Sequence, residues 1–127
     1  MKTIISTPKA PAAIGPYNQA TAFDKLIFTS GQIALNPETM EIVEGGVQEQ
    51  TKQVMENLKA VLEEAGSSFE NVIKTTCYLS DMDNFVAFNE VYSKYFSAET
   101  APARSTVAVK TLPKNVLVEV DTIAFKN

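Results

Sequence analysis

The fold is decided by two alternating stretches near the C-terminus, Ser105-Thr106-Val107-Ala108-Val109-Lys110 and Val116-Leu117-Val118-Glu119-Val120-Asp121-Thr122-Ile123-Ala124-Phe125. Both have the period of two that predicts β-strands, and Pro113 interrupts the pattern between them. In the second stretch, one set of alternate positions is Val116, Val118, Val120, Thr122 and Ala124. The other set places Glu119 and Asp121 among large apolar residues. Two carboxylates therefore share one face of the predicted strand.

Upstream of these stretches, the sequence predicts two helices. Val47 to Ala65 carries apolar side chains at helical spacing, and Gly66 supplies a C-terminal stop. Asn84 to Phe96 predicts a second helix with an aromatic stripe, which is typical of a core face. Asp81 or Asp83 is expected to cap this second helix, because a short acidic side chain accepts hydrogen bonds from the first turn.

Two shorter patterns predict further strands. Leu26 to Thr29 has the apolar run of a buried strand, and Val72 to Leu79 alternates. The alternation places Cys77 on an apolar face, so we interpret it as a small core residue and not as a nucleophile. The N-terminal segment is predicted to be a loop because three prolines discourage regular structure, namely Pro8, Pro11 and Pro16.

The order strand, strand, helix, strand, helix, strand, strand predicts an α+β fold, in one domain that spans residues 1–127. We expect a mixed sheet with two helices packed on one of its faces. The other face should then keep an uncovered apolar surface, which commonly marks a contact between subunits. The residues expected on that surface are Val107, Val109, Val118 and Val120.

Composition narrows the possible functions. A net charge of -4 gives no general attraction for nucleic acid or anionic lipid, so neither is expected as a partner. The chain has no histidine and one cysteine, which argues against zinc chemistry, a Ser-His-Asp triad and an intrachain disulfide. No window has the length and hydropathy of a membrane span or a secretory signal, and we therefore expect a cytoplasmic protein.

Arg104 is the one arginine beside ten lysines, and it immediately precedes the first alternating stretch. Its planar fork of donors matches a carboxylate in a bidentate way that a lysine ammonium does not. The position therefore predicts a local anion site. A structural alternative stays open, since Arg104 and Glu119 could form a buried ion pair.

The block from Pro102-Ala103-Arg104-Ser105 through Val118-Glu119-Val120 resembles the signature of the RidA/YjgF family of reactive-intermediate deaminases. Three other runs fall where that family has similar ones, namely Ala13-Ile14-Gly15-Pro16-Tyr17, Thr29-Ser30-Gly31-Gln32-Ile33 and Asn57-Leu58-Lys59-Ala60-Val61. Together the four motifs cover essentially the whole chain in the family's order and spacing, which makes a chance match improbable.

The resemblance implies a chorismate-mutase-like fold and a homotrimer with ligand clefts between neighbouring subunits. It further implies hydrolysis of 2-aminoacrylate and 2-iminobutanoate, which pyridoxal-phosphate-dependent dehydratases release, to 2-keto acids and ammonia. Such a 2-iminobutanoate/2-iminopropanoate deaminase needs no metal and no cofactor. A noncatalytic protein that binds 2-keto acids in the same cleft is the alternative, and RNA cleavage, associated with some members, is disfavoured by the acidic charge.

The resemblance also assigns roles to residues. Arg104 would grip the substrate carboxylate, and Glu119 would orient a water and move protons. The cleft would further be lined by Tyr17, Ser30, Gly31, Asn89 and the backbone of Thr106. Many relatives carry cysteine where this chain has Thr106, so no thiol-dependent property of theirs is expected here. The sequence leaves open whether Arg104 and Glu119 meet within one chain or across an interface.

Overall fold

Six strands and two helices make up the computed structural model, which describes residues 1–127. The strands are β1 Thr3–Ile5, β2 Ala20–Phe23, β3 Leu26–Thr29, β4 Val72–Leu79, β5 Ala103–Ala108 and β6 Val118–Phe125. The helices are α1 Val47–Glu64 and α2 Phe85–Tyr92. The strands form one sheet in the order β1-β2-β3-β6-β4-β5, in which β4 and β5 are parallel and every other pair is antiparallel. The predicted α+β fold with a mixed sheet is confirmed.

The helix α1 buries the face that its spacing predicted. Val54, Leu58, Val61 and Leu62 are completely buried in the core between the helices and the sheet. The helix stops at Gly66, whose φ of +81° suits glycine, and the Ser67 N–H returns to the Leu62 carbonyl. Neither α1 nor α2 combines the length and the apolar character that crossing a membrane requires.

The strand β6 turns its small residues toward the helices, which corrects one prediction. Val118 and Val120 are fully buried there and do not belong to the open face of the sheet. Val107 remains exposed, but the largest apolar groups on the open face are aromatic and leucine side chains. Cross-strand pairs connect them, since Phe28 lies opposite Ile123 and Leu26 opposite Phe125. The expected uncovered apolar surface exists, with different members.

The second helix is shorter than predicted because its C-terminal turn tightens. Asp81 caps a 3₁₀ turn, Met82–Asn84, that leads into α2. After Tyr92 the backbone hydrogen bonds join residues three apart. The Ser93 hydroxyl donates to the carbonyls of Asn89 and Glu90. A hydroxyl that bonds back in this way competes with continued helix.

The N-terminal region contains two short strands where a loop was predicted. Its prolines do keep residues 6–19 out of regular structure. The buried Gln19 side chain then satisfies that backbone, because its amide accepts from the Thr7 N–H and donates to the carbonyls of Thr7, Ala10 and Pro11. The Gln19 side chain thus supplies hydrogen bonds that backbone groups of this segment would otherwise make to a neighbouring strand.

Candidate functional site

Arg104 lies on the face of the sheet that carries the helices. In the parallel register of β4 and β5 it stands beside Thr75, which is fully buried under α2. The guanidinium carbon lies 4.7 Å from the centre of the Tyr92 ring and 5.4 Å from that of Phe85. One guanidinium nitrogen donates to the Asn89 amide oxygen over 2.7 Å. The residues of α2 therefore hold the planar group on two sides.

This arrangement orients Arg104 without using up its donors. Only one nitrogen is bonded within the chain, and the residue is exposed, so the remaining N–H groups are open to an anion. The Tyr92 hydroxyl is itself fixed by Thr75 across 2.8 Å. Burial raises the pKa of Tyr92, which keeps its hydroxyl protonated. A guanidinium held over aromatic rings with open N–H groups has the chemistry to bind a carboxylate.

Glu119 lies on the opposite, open face of the sheet. It pairs across β4 with Tyr78 and is half-buried. Its carboxylate rests against Gly31, where an added Cβ would fall on the carboxylate itself. Burial is the main reason that the pKa of Glu119 is raised, and the nearby Asp121 carboxylate adds to the rise. A carboxyl group that retains its proton more readily suits both acid and base catalysis.

Glu119 and the residues around it line a cavity of about 650 Å³. Tyr17, Ser30 and Gly31 line it together with Glu119, as the resemblance implies. The cavity also contains Lys114, which the sequence did not single out. We call this group of five the Glu119 half-site.

Asn89 and Thr106 lie on the other face of the sheet, with Arg104. Asn89 bonds to Arg104, and Thr106 stands beside the buried Cys77. The Thr106 hydroxyl oxygen is buried without a hydrogen-bond partner. We call Arg104, Asn89 and Thr106, with the rings of Phe85 and Tyr92, the Arg104 half-site.

The separation of the two half-sites decides one alternative. Within one chain, Arg104 and Glu119 lie on opposite faces of the sheet, so the ion pair between them considered above is excluded there.

Cys77 is a core residue as predicted, since it is completely buried and burial raises its pKa to about 11. No three His, Cys, Asp or Glu side chains come together in a way that could hold a metal ion.

Sequence reasoning missed Phe85 and Tyr92 as part of the site. Both belong to the aromatic stripe of α2, which correctly predicted core packing. The signal for their second role is the spacing, because Phe85, Asn89 and Tyr92 follow one another at intervals of four and three and so lie on one helix face. A lone arginine in a nearby strand is a natural partner for such a face.

The chain is similar to known proteins along nearly its whole length. A family model described as endoribonuclease L-PSP matches residues 7–126. A Synechocystis protein named as a RutC family protein is 58% identical over 122 residues, covering 95% of this chain and 94% of that protein. The 2-iminobutanoate/2-iminopropanoate deaminase of Mus musculus is 47% identical over 126 residues, covering 99% and 93%. The solved structure of the yjgF gene product of E. coli has a TM-score of 0.91 at 41% identity, covering 98% of this chain and 99% of that one.

Proposed function

The chain belongs to the RidA/YjgF family, and from this premise we propose that it hydrolyses reactive 2-imino and 2-enamino acids to 2-keto acids and ammonia. The substrates are small carboxylates such as 2-iminobutanoate and 2-aminoacrylate. One observation carries the proposal: the chain presents a preorganised carboxylate anchor and a proton-retaining carboxyl group on two faces of one sheet.

The complete site is a composite of two copies of the chain. Each copy supplies the Arg104 half-site of one cleft and the Glu119 half-site of another, in a homotrimer. The open sheet face that carries Glu119 supports this assembly, because large apolar side chains remain exposed on it. Those side chains include Phe23, Leu26, Phe28 and Phe125.

Arg104 binds the substrate carboxylate and fixes the imine carbon in the cleft. Two parallel N–H···O bonds define both the position and the plane of the bound acid. Asn89 and the rings beneath the guanidinium keep this fork from rotating. Positioning of this kind is the main contribution that this site makes to the rate.

Glu119 moves the protons of the reaction. Its carboxyl donates a proton to the imine nitrogen, which makes the carbon more electrophilic, and the resulting carboxylate takes a proton from the attacking water. The product of addition carries a hydroxyl and an amino group on the same carbon. Glu119 then protonates the amino group and removes the hydroxyl proton as the C–N bond breaks. The 2-keto acid and ammonia leave, and Glu119 returns to its starting state.

A complementation assay tests the chemistry and the composite site together. Dehydratase-generated 2-iminobutanoate is the substrate, and 2-keto acid release is measured above the spontaneous rate. We expect Arg104→Ala and Glu119→Gln each to have only a small residual activity alone. When the two variants are unfolded, mixed in equal amounts and reassembled, about one quarter of the clefts regain both intact half-sites. Activity should return to about that fraction.

The control is the double variant Arg104→Ala/Glu119→Gln, reassembled with Arg104→Ala. No cleft in that mixture has an intact anchor, so it should stay inactive. A first mixture that also stays inactive, although it forms mixed assemblies, contradicts the composite site. If the intact protein does not accelerate release at all, the deaminase proposal is wrong, and keto-acid binding measured by calorimetry then tests the noncatalytic alternative.

A further inference from the structure

Asp121 is a second carboxylate on the face that carries Glu119, and the chemistry proposed above does not use it. It follows Glu119 by two positions on β6 and stands opposite Thr76 of β4. Like Glu119 it is half-buried. Two carboxylates on adjacent same-face positions repel each other, and the repulsion is strong where water is partly excluded.

Tyr78 connects the two carboxylates. Its backbone lies opposite Glu119, while its hydroxyl donates to a carboxylate oxygen of Asp121 over 3.4 Å. Lys74 is the cation of β4 that acts on Asp121, but its ammonium is bonded to the Ser105 hydroxyl over 3.1 Å. No ion pair within the chain therefore cancels the negative charge of ionised Asp121 beside Glu119.

The surroundings of the two carboxylates differ in one respect. Burial raises the pKa of Asp121 above its usual value, and hydrogen bonds from Tyr78 and Thr76 and the charge of Lys74 reduce that rise. Glu119 has no such opposing partner within the chain, because burial and the charge of Asp121 both raise its pKa. When two neighbouring acids differ in this way, the acid with the stabilising partners ionises first.

We infer that Asp121, held by Tyr78, is a positioning residue whose negative charge keeps a proton on Glu119 until the substrate nitrogen takes it. The inference rests on the proposed function. The proton that the imine nitrogen receives in the first step then comes from Glu119 and not from the solvent. Asp121 itself touches no reacting atom and ends each turnover unchanged.

Other ionisable groups also face Glu119. Tyr17 and Lys114 line the same cavity, and Tyr78 faces Glu119 from β4. The segment that contains Ser30 and Gly31 contributes no titratable side chain. In the composite site, Arg104 of a neighbouring copy approaches as well, and it favours the ionised form. Asp121 is therefore the one carboxylate here that opposes this cation.

The test is a titration of Glu119 in the assembled protein. Carboxyl-labelled glutamate is followed by NMR against pH, and the Glu119 signal is assigned by its loss in Glu119→Gln. In Asp121→Asn we expect the midpoint of Glu119 to move to lower pH, because removing a negative neighbour favours ionisation. The pH limb of kcat/KM that Glu119 governs should move in the same direction. Asp121→Glu, which retains the charge, should restore the native midpoint.

Asp24→Asn is the matched control. Asp24 is exposed in the β2–β3 turn at a φ of +55°, which asparagine tolerates, and it lies outside both half-sites. An unchanged or higher Glu119 midpoint in Asp121→Asn overturns the inference, even when the protein is an active deaminase. If Asp121→Asn does not assemble, Asp121→Thr removes the charge with a good strand former, and the same criterion applies. A protein without deaminase activity refutes the proposed function, while the NMR titration still decides whether Asp121 controls Glu119.

Discussion

Substitution of Gly31 by alanine should separate the geometry of the Glu119 half-site from the stability of the fold. Gly31 has no positive φ, so its backbone accepts alanine. An added Cβ would lie 2.8 Å from the Glu119 carboxyl carbon and 3.0 Å from its Cγ. Carbon atoms prefer separations of about 3.5–4.0 Å, so the carboxylate has to retreat by about 1 Å.

A displacement of that size should lower kcat/KM and leave the free energy of unfolding nearly unchanged. We expect kcat/KM for 2-iminobutanoate to fall about 100-fold, which corresponds to about 2.7 kcal/mol of lost transition-state stabilisation. The free energy of unfolding, measured in urea, should change by less than about 1 kcal/mol, since alanine also restricts the unfolded chain. Gly46→Ala is the control, because a Cβ there meets nothing closer than 3.8 Å.

A double-mutant cycle identifies the cause of the loss. If Gly31→Ala acts by displacing Glu119, it should cost less than about threefold once Glu119→Gln has already removed the carboxylate. A full additional 100-fold loss in that background would refute the reasoning. Gly31 would then act through direct contact with the substrate and not through Glu119.

Three further predictions concern other parts of the chain. Asn89→Ala frees the Arg104 guanidinium, so steady-state kinetics should show a KM about tenfold higher with a smaller change in kcat. Because Cys77 is completely buried and burial raises its pKa to about 11, its thiol should react with a disulfide reagent at pH about 8 only as fast as the protein unfolds, and rapid labelling of the folded protein would contradict this. Lys114 has a φ of +55°, so Lys114→Gly should raise the free energy of unfolding in urea by about 0.5–1 kcal/mol, and a loss of stability would contradict the strain.

The elements with strong periodicity were predictable from the sequence. The α1 helix places apolar residues on one stripe and ends at Gly66, and both features were visible as a pattern before any packing was known. The strand β6 was predictable for the same reason. Its orientation was not, because both alternating sets contain apolar residues. Only the sheet shows that the small valines pack against the helices and that Phe125 faces outward.

The relation between Arg104 and Glu119 was not predictable from the sequence. Their strands β5 and β6 follow one another in the chain, yet β4 lies between them in the sheet. Alternation fixes which residues of one strand share a face, but it does not fix which face two separate strands have in common. The sequence of β5 does not show which of its residues face the helices, because the strand lies at the edge of the sheet and is exposed along most of its length.

The separation of the half-sites has an electrostatic consequence for the proposed enzyme. In the proposed composite cleft, when it is empty, Arg104 of one copy would favour ionised Glu119 of the next and so oppose Asp121. A bound substrate carboxylate occupies the guanidinium fork and cancels most of that charge. The repulsion from Asp121 then prevails, and Glu119 retains its proton when an imine nitrogen is in place to receive it. Two residues held permanently together in one chain would form an ion pair and lack this dependence on the substrate.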